Sequence, residues 1–147
     1  MIYYTKQGYA IEIDREDYNR IKQYNWYKKS TGFTNENKQS LGRFLLNYHG
    51  ELEVDHKDRN QFNNKKDNLR IATRQQQLAN RGPLGSNDFK GVSWDKSKKT
   101  FRVHICVDRK IKHIGCFKDE VEAAHAYDKV ARETWGEFAY LNFPDWI

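Results

Sequence analysis

Near the start of the chain Tyr9, Ile11 and Ile13 alternate with Ala10, Glu12 and Asp14. A period of two is the signature of a half-buried strand, so residues 1–14 are predicted as strands. Asp14-Arg15-Glu16-Asp17 then puts an acid at a helix N-cap and acids in the first turn, with Tyr18, Ile21 and Tyr24 on one helical face. Trp26 and Tyr27 are expected in the core. The polar stretch from Lys28 to Ser40, interrupted by Gly32, reads as a connection, and Leu41 to His49 as a short helix. One apolar run ends at Val54-Asp55-His56. A loop rich in Asn runs from Lys57 to Asp67, with Phe62 expected to plug it into the core, and Asn68 opens a second short run to Ala72. Thr73 is the predicted N-cap of a helix from Gln75 to Arg81, closed by Gly82-Pro83.

Beyond Gly82-Pro83-Leu84-Gly85-Ser86 the rhythm changes. Three strands are predicted, Phe89 to Trp94, Phe101 to Val107 and Ile111 to Phe117, with Asp108-Arg109-Lys110 turning the chain. On the second, Phe101, Val103, Ile105 and Val107 share one face, and Arg102, His104 and Cys106 the other. Asp119 and Glu122 make a capping-box start for a helix over 120–135, and Gly136 ends it. Its many alanines let it lie close to a sheet. The expected fold class is α+β. A first domain at 1–82 and a linker at 83–88 precede a second domain at 89–147, a three-stranded antiparallel sheet packed on one helix. Trp146 is expected to pack.

The 147 residues are 37% hydrophobic and 14% aromatic, which suits small aromatic cores rather than one large core. A net charge of +6 points to a polyanionic partner, nucleic acid above all. The charge is also sorted. Residues 89–112 carry eight bases and two acids, whereas residues 118–137 carry three bases and six acids. A basic sheet backed by an acidic helix presents only its sheet to a polyanion. Cys106 and Cys116 are too far apart for a Cys-x-x-Cys site and read as reduced thiols. No apolar run approaches the ~20 residues of a membrane span, and the N-terminus lacks a signal-peptide core. The protein is therefore expected to be cytoplasmic, with no membrane and no obligatory protein partner.

Asp55, His56 and the amides of Asn60, Asn63, Asn64 and Asn68 stand on a strand, loop and strand. Such groups can hold one hard divalent cation and keep an imidazole as base, and phosphodiester hydrolysis needs both. The order Asp55-His56, Asn-rich loop, Asn68-Leu69-Arg70-x-x-Thr73 resembles the HNH nuclease family, whose ββα-metal (His-Me finger) core cuts DNA. The resemblance implies a core over about 51–81 and a lead-in, 1–50, of the kind found in phage-type homing proteins, completing the sheet and shaping the DNA cleft. It implies Asp55 as metal ligand, His56 as general base, and Asn68 as the group that fixes the His56 ring. Gln77 is the second ligand, at a position where the family usually carries Asn or His. Asn80, one turn further, is the alternative. Gly42 stands where relatives often carry His. Mg2+ or Mn2+ is the implied cofactor, since both suit oxygen ligands and open water positions. Arg43 is a candidate phosphate contact.

The second half resembles the Apetala2-type DNA-binding domain of plant ethylene-response factors. The matching residues are Phe89-Lys90-Gly91-Val92-Ser93-Trp94-Asp95-Lys96, Phe101 to Ile105, His113-Ile114-Gly115-x-Phe117, Glu122-Ala123-Ala124-x-Ala126-Tyr127-Asp128, Ala131 and Leu141 to Pro144. That family lays its sheet in the DNA major groove, which admits a β-ribbon. The resemblance implies that Lys90, Ser93, Trp94, Arg102, His104 and His113 face DNA, with Lys96 and Lys98 in the loop beside them. Ser93, Cys106 and Ile111 replace arginines of the plant proteins. Together these features predict a metal-dependent endonuclease acting on double-stranded DNA, nicking because one metal site cuts one strand. The rival is a DNA-binding regulator with a degenerate nuclease core, supported by Gln77 and Gly42. An RNA-binding structural protein is a third reading, and it lacks the aromatic pattern such sheets carry.

Overall fold

The alternation around Ile11 and Ile13 yields a strand with a sealed apolar face, both side chains being 0% exposed. The computed structural model describes residues 1–145, and the expectation for Trp146 lies outside them. The chain divides into two compact units, Met1–Thr73 and Arg74–Ile147.

In the first unit β1 (Ile2–Tyr4) pairs antiparallel with β2 (Ala10–Glu12), and a 3-10 turn (Arg15–Asp17) leads into α1 (Tyr18–Ile21). Asp14 precedes this turn without capping it. Its Oδ2 accepts the Lys66 N–H at 2.8 Å instead, tying the lead-in to a distant loop. Trp26 is buried and donates Nε1–H to the Ile21 carbonyl at 3.0 Å, whereas Tyr27 is exposed, so one ring of the pair reaches the core. The stretch expected as a bare connection contains a hairpin, β3 (Tyr27–Lys29) with β4 (Gly32–Thr34). Burial of Phe33 anchors it, and three-residue strands are too short to show a period. α2 (Leu41–Leu46) starts at Ser40, whose Oγ accepts the Arg43 N–H, and stops at Asn47 in the left-handed region, φ 50°. Its Gly42 approaches β5 (Glu53–His56) so closely that a Cβ would lie 2.8 Å from Val54 Cγ1. Any side chain there, a histidine included, would have to displace Val54. β5 pairs antiparallel with β6 (Leu69–Ala72), Asp55 opposite Arg70 and His56 opposite Leu69. Ile11, Ile13, Ile21, Trp26, Phe33, Leu41, Leu45 and Leu69 form the core.

The second unit begins with α3 (Arg74–Asn80). The Tyr140 N–H bonds the Ala79 carbonyl at 2.9 Å, and Lys90 Nζ bonds the carbonyls of Leu78 at 3.0 Å and Ala79 at 2.7 Å. These donors satisfy the last carbonyls of the helix, which have no partner within it. The units therefore part ahead of residues 83–88, where Gly and Pro suggest the linker. β7 (Val92–Asp95), β8 (Thr100–Val107) and β9 (Lys110–Phe117) form one antiparallel sheet in that order, with a bulge between Val103 and His104. α4 (Glu120–Trp135) starts where Asp119 Oδ1 accepts the Glu122 N–H at 2.9 Å and ends at Gly136, φ 54°. Ala123, Ala124 and Ala131 of α4 are fully buried with Val103 and Ile105 of β8. Gly91, φ 77°, leaves no space for a side chain, since a Cβ would stand 2.1 Å from the Tyr127 ring. The architecture is α+β with antiparallel sheets throughout, and among the described residues no helix is long and apolar enough to cross a membrane.

Candidate active site

His56 closes β5, and the loop behind it is folded on side-chain amides. The Lys57 N–H extends the ladder to the Asn68 carbonyl at 2.8 Å. Asn68, 7% exposed, accepts the Asp58 N–H through Oδ1 at 3.1 Å and donates Nδ2–H to Asp58 Oδ1 at 2.9 Å and to the Asn63 carbonyl at 2.8 Å. Asp58 also accepts the Asn60 N–H and the Asn63 amide, each at 2.8 Å. Burial alone would raise the Asp58 carboxyl. The bonds from Asn60, Asn63 and Asn68, with the nearby His56, outweigh it and hold the group below its ordinary value.

The amide in contact with His56 is that of Asn64, with Oδ1 3.1 Å from Nε2. Asn64 is 2% exposed. Its N–H donates to the Glu12 carbonyl at 2.8 Å, the Glu12 N–H donates to the Phe62 carbonyl at 2.7 Å, and Glu12 and Asn63 form a parallel bridge. The sequence resemblance assigns the hold on the ring to Asn68. The structure directs the Asn68 bonds to Asp58 and Asn63, so this residue braces the loop. Asn64 was in view as a loop asparagine, but a run of such residues carries no signal of which one is buried. Phe62 meets the buried Phe33 edge-on, centroids 5.7 Å apart, but is 37% exposed and lies outside the core, so it covers the loop rather than plugging it into the core.

Asp55 sits next to His56 and across the ladder from Arg70. Its Oδ2 lies 3.0 Å from both Arg70 Nε and Nη2, with side chains 13% and 10% exposed. Arg70 stands within the motif, yet sequence reasoning gave it no role. Among the described residues no cluster of three or more His, Cys, Asp or Glu can cage a metal ion. One carboxylate fits a hard cation that keeps water and takes its remaining oxygens from a phosphate. It does not fit a four-ligand zinc site.

Of the residues expected to act from elsewhere, Arg43 bonds the carbonyls of Gly50 and Leu52, and its guanidinium lies 5.3 Å from the centre of the Tyr48 ring. It holds its own loop rather than standing ready for a phosphate. In the second unit, Gln77 on α3 accepts from Arg74 at 3.3 Å, and Asn80 is buried. Lys90, expected to face DNA, points its ammonium at the end of α3, where the partial negative charge of the helix favours a cation. Ser93 stands opposite Arg102, and His104 opposite His113, so these four share the outer face of the sheet. Trp94 pairs with Phe101, ring centroids 4.8 Å apart, and so lies on the other side, though 51% exposed. Arg102 is ion-paired to Asp95 at 2.8 Å. Bonds from the Ser97 hydroxyl, the Lys98 N–H and Arg102 hold Asp95 down at about 2. Lys96 and Lys98 are exposed beside it.

A family model described as HNH endonuclease matches residues 46–79. An uncharacterized HNH endonuclease of Acanthamoeba polyphaga mimivirus is 30% identical over 131 residues, covering 83% of this chain and 68% of its own length. No solved structure matches.

Proposed function

Since this chain belongs to the HNH endonuclease family, we propose that it is a divalent-metal-dependent nuclease that hydrolyses phosphodiester bonds of duplex DNA, one strand at a time. The observation that carries this reading is the end of β5, where a carboxylate and an imidazole are adjacent and the imidazole is bonded to a buried amide. His56 takes a proton from water, which attacks phosphorus. Asp55 is the ligand for Mg2+ or Mn2+, with Gln77, or Asn80 in its place, as the helix ligand of a ββα-metal arrangement. When bound, the cation supplies neutralisation of the charge that develops on the phosphate and the leaving 3′ oxygen. Asn68 keeps the loop closed, so that His56 stays at the end of its strand.

Residues 1–82 are proposed as the nuclease domain. Residues 89–147, after a linker, are proposed as an Apetala2-type module whose sheet enters the major groove. Ser93, Arg102, His104 and His113 on one sheet face, with Lys96 and Lys98 beside it, support that assignment, as does the sorting of basic charge to the sheet. Trp94, half exposed beside Phe101, stays a proposed DNA contact, whereas Lys90 is bonded to the end of α3.

The test is supercoiled plasmid incubated with the protein and Mg2+, then Mn2+, beside an EDTA control and His56→Ala. Metal-dependent conversion to open circles, lost in the variant, is the expected result. No cleavage with either metal, together with a retained gel shift, would replace this reading with a DNA-binding regulator whose core is degenerate. Gln77→Asn is then the variant to examine for rescue.

A further inference from the structure

Nothing in the motif assigns work to the N-terminal hairpin, yet one of its strands reaches the ring of the proposed base through a single residue. Resting on the reading of His56 above, we infer that Asn64 is a positioning residue. It holds the His56 imidazole with its proton on Nε2, so that Nδ1 is the nitrogen presented to the attacking water, and strand β2 holds Asn64 in register to do so.

The assignment of the proton follows from hydrogen-bond capacity. Asn64 Nδ2 donates to the Gln61 carbonyl at 2.9 Å. A carbonyl oxygen only accepts, so the amide NH2 must face Gln61, and Oδ1 must face the ring. Oδ1 in turn only accepts. The neutral ring 3.1 Å away therefore carries its hydrogen on Nε2 and its lone pair on Nδ1. The amide cannot turn over without setting its NH2 against the Nε2–H of the ring and its oxygen against the Gln61 carbonyl oxygen.

The position of Asn64 is set from the far side. Its backbone N–H is bonded to Glu12 O and the Glu12 N–H to Phe62 O, at 2.8 Å and 2.7 Å, so the loop from Phe62 to Asn64 is laid along the open edge of β2. That strand is itself locked by Ile11 and Ile13, both fully buried. A one-residue slip of β2 would exchange its buried and exposed faces, and the burial of these two isoleucines resists it. The line from core to base thus runs Ile11 and Ile13, Glu12 backbone, Asn64, His56. Asn68 and Asp58 close the other side of the same loop and make no part of this line.

The experiment uses the full chain with 15N-labelled histidine, observed by NMR at a pH above the imidazole range. In the wild type, His56 Nε2 is expected at the shift of a protonated ring nitrogen and Nδ1 at that of an unprotonated one. Asn64→Ala is expected to move both toward averaged values. The same variant should lower kcat on plasmid on the order of 10-fold or more through misplacement of the base, with KM and gel-shift affinity within about twofold. Asn64→Asp keeps an acceptor on the ring but sets a second oxygen against the Gln61 carbonyl, so it should retain the wild-type tautomer with a smaller loss of kcat than Asn64→Ala. A wild-type spectrum with the proton on Nδ1 would overturn the inference, and that reading needs no variant to fold. So would an unchanged spectrum or an unchanged kcat in a folded Asn64→Ala. Absence of cleavage by the wild type would instead overturn the nuclease reading, while the ring nitrogens still decide what Asn64 does.

Discussion

At the end of β5 each polar side chain has a distinct partner, and the partner decides what a substitution does. Asp55 and Arg70 form a pair nearly shielded from water. Arg70→Ala leaves the carboxylate there without its cation, at a cost of about 3 kcal/mol, measured as a lower denaturant midpoint at unchanged slope. If the midpoint holds, the pair is not a structural element. Asp58 is lowered in the folded chain, from an ordinary value of 3.8. Its ionised form therefore contributes stability that is fully present above 3.8 and is lost as the pH falls below it, through the folded value. Asp58→Asn should be less stable than wild type at neutral pH, and the gap should close in acid unfolding below that range. A gap independent of pH would remove the ionised carboxylate from the account. Asp55, His56 and Asn68 were legible because they lie in a fixed order along the chain. Asn64 was not, since its effect depends on burial against β2, and three loop asparagines look alike in one dimension.

Among the elements, periodicity located what was long enough to have one. The helix over 120–135 and the strands at 101–107 and 111–117 agree with α4, β8 and β9 to within a residue at each end. The β3–β4 hairpin escaped notice, because a turn at Gly32 and one buried Phe33 are all it has. Close approach is equally silent in the chain. Gly42 reads as a departure from a family pattern, while the structure gives it a packing reason against Val54. Gly42→Ala should cost about 1–3 kcal/mol through overpacking, read from thermal unfolding. An unchanged melting temperature would mean that α2 shifts freely off β5. Lys90→Ala removes the ammonium from the end of α3 and should cost about 1 kcal/mol. That loss should appear as faster hydrogen exchange in α3 with little change in DNA affinity, whereas a DNA-facing lysine would show the reverse.

The molecule as a whole is two units, each with its own apolar cluster. On the proposed function, the chemistry resides with His56 and Asp55, and most binding with the basic sheet. His56→Ala should then abolish nicking while leaving gel-shift affinity within about twofold, since phosphate contacts dominate such binding. Joint loss of both in a folded variant would end that division of labour. A fragment of residues 74–147, which keeps α3 with the unit that packs it, should bind duplex DNA with affinity falling steeply as salt rises. Lys98→Ala should lower the slope by about 1. Binding without a salt slope would refute the sheet as the footprint.

The chain's own order of residues determined the family-like motif, the long helix, the strand faces and the sign of charge on the sheet. Each of these follows from local spacing or composition. Tertiary structure decided which amide meets the imidazole, that Arg43 and Lys90 bond backbone carbonyls instead of facing outward, that Asp55 is shared with Arg70, and that α3 packs with the second unit. A period reports how one element is buried on average. A hydrogen bond between Glu12 and Asn64, or Lys90 and Ala79, exists only once separate segments have been brought together by the cores beneath them.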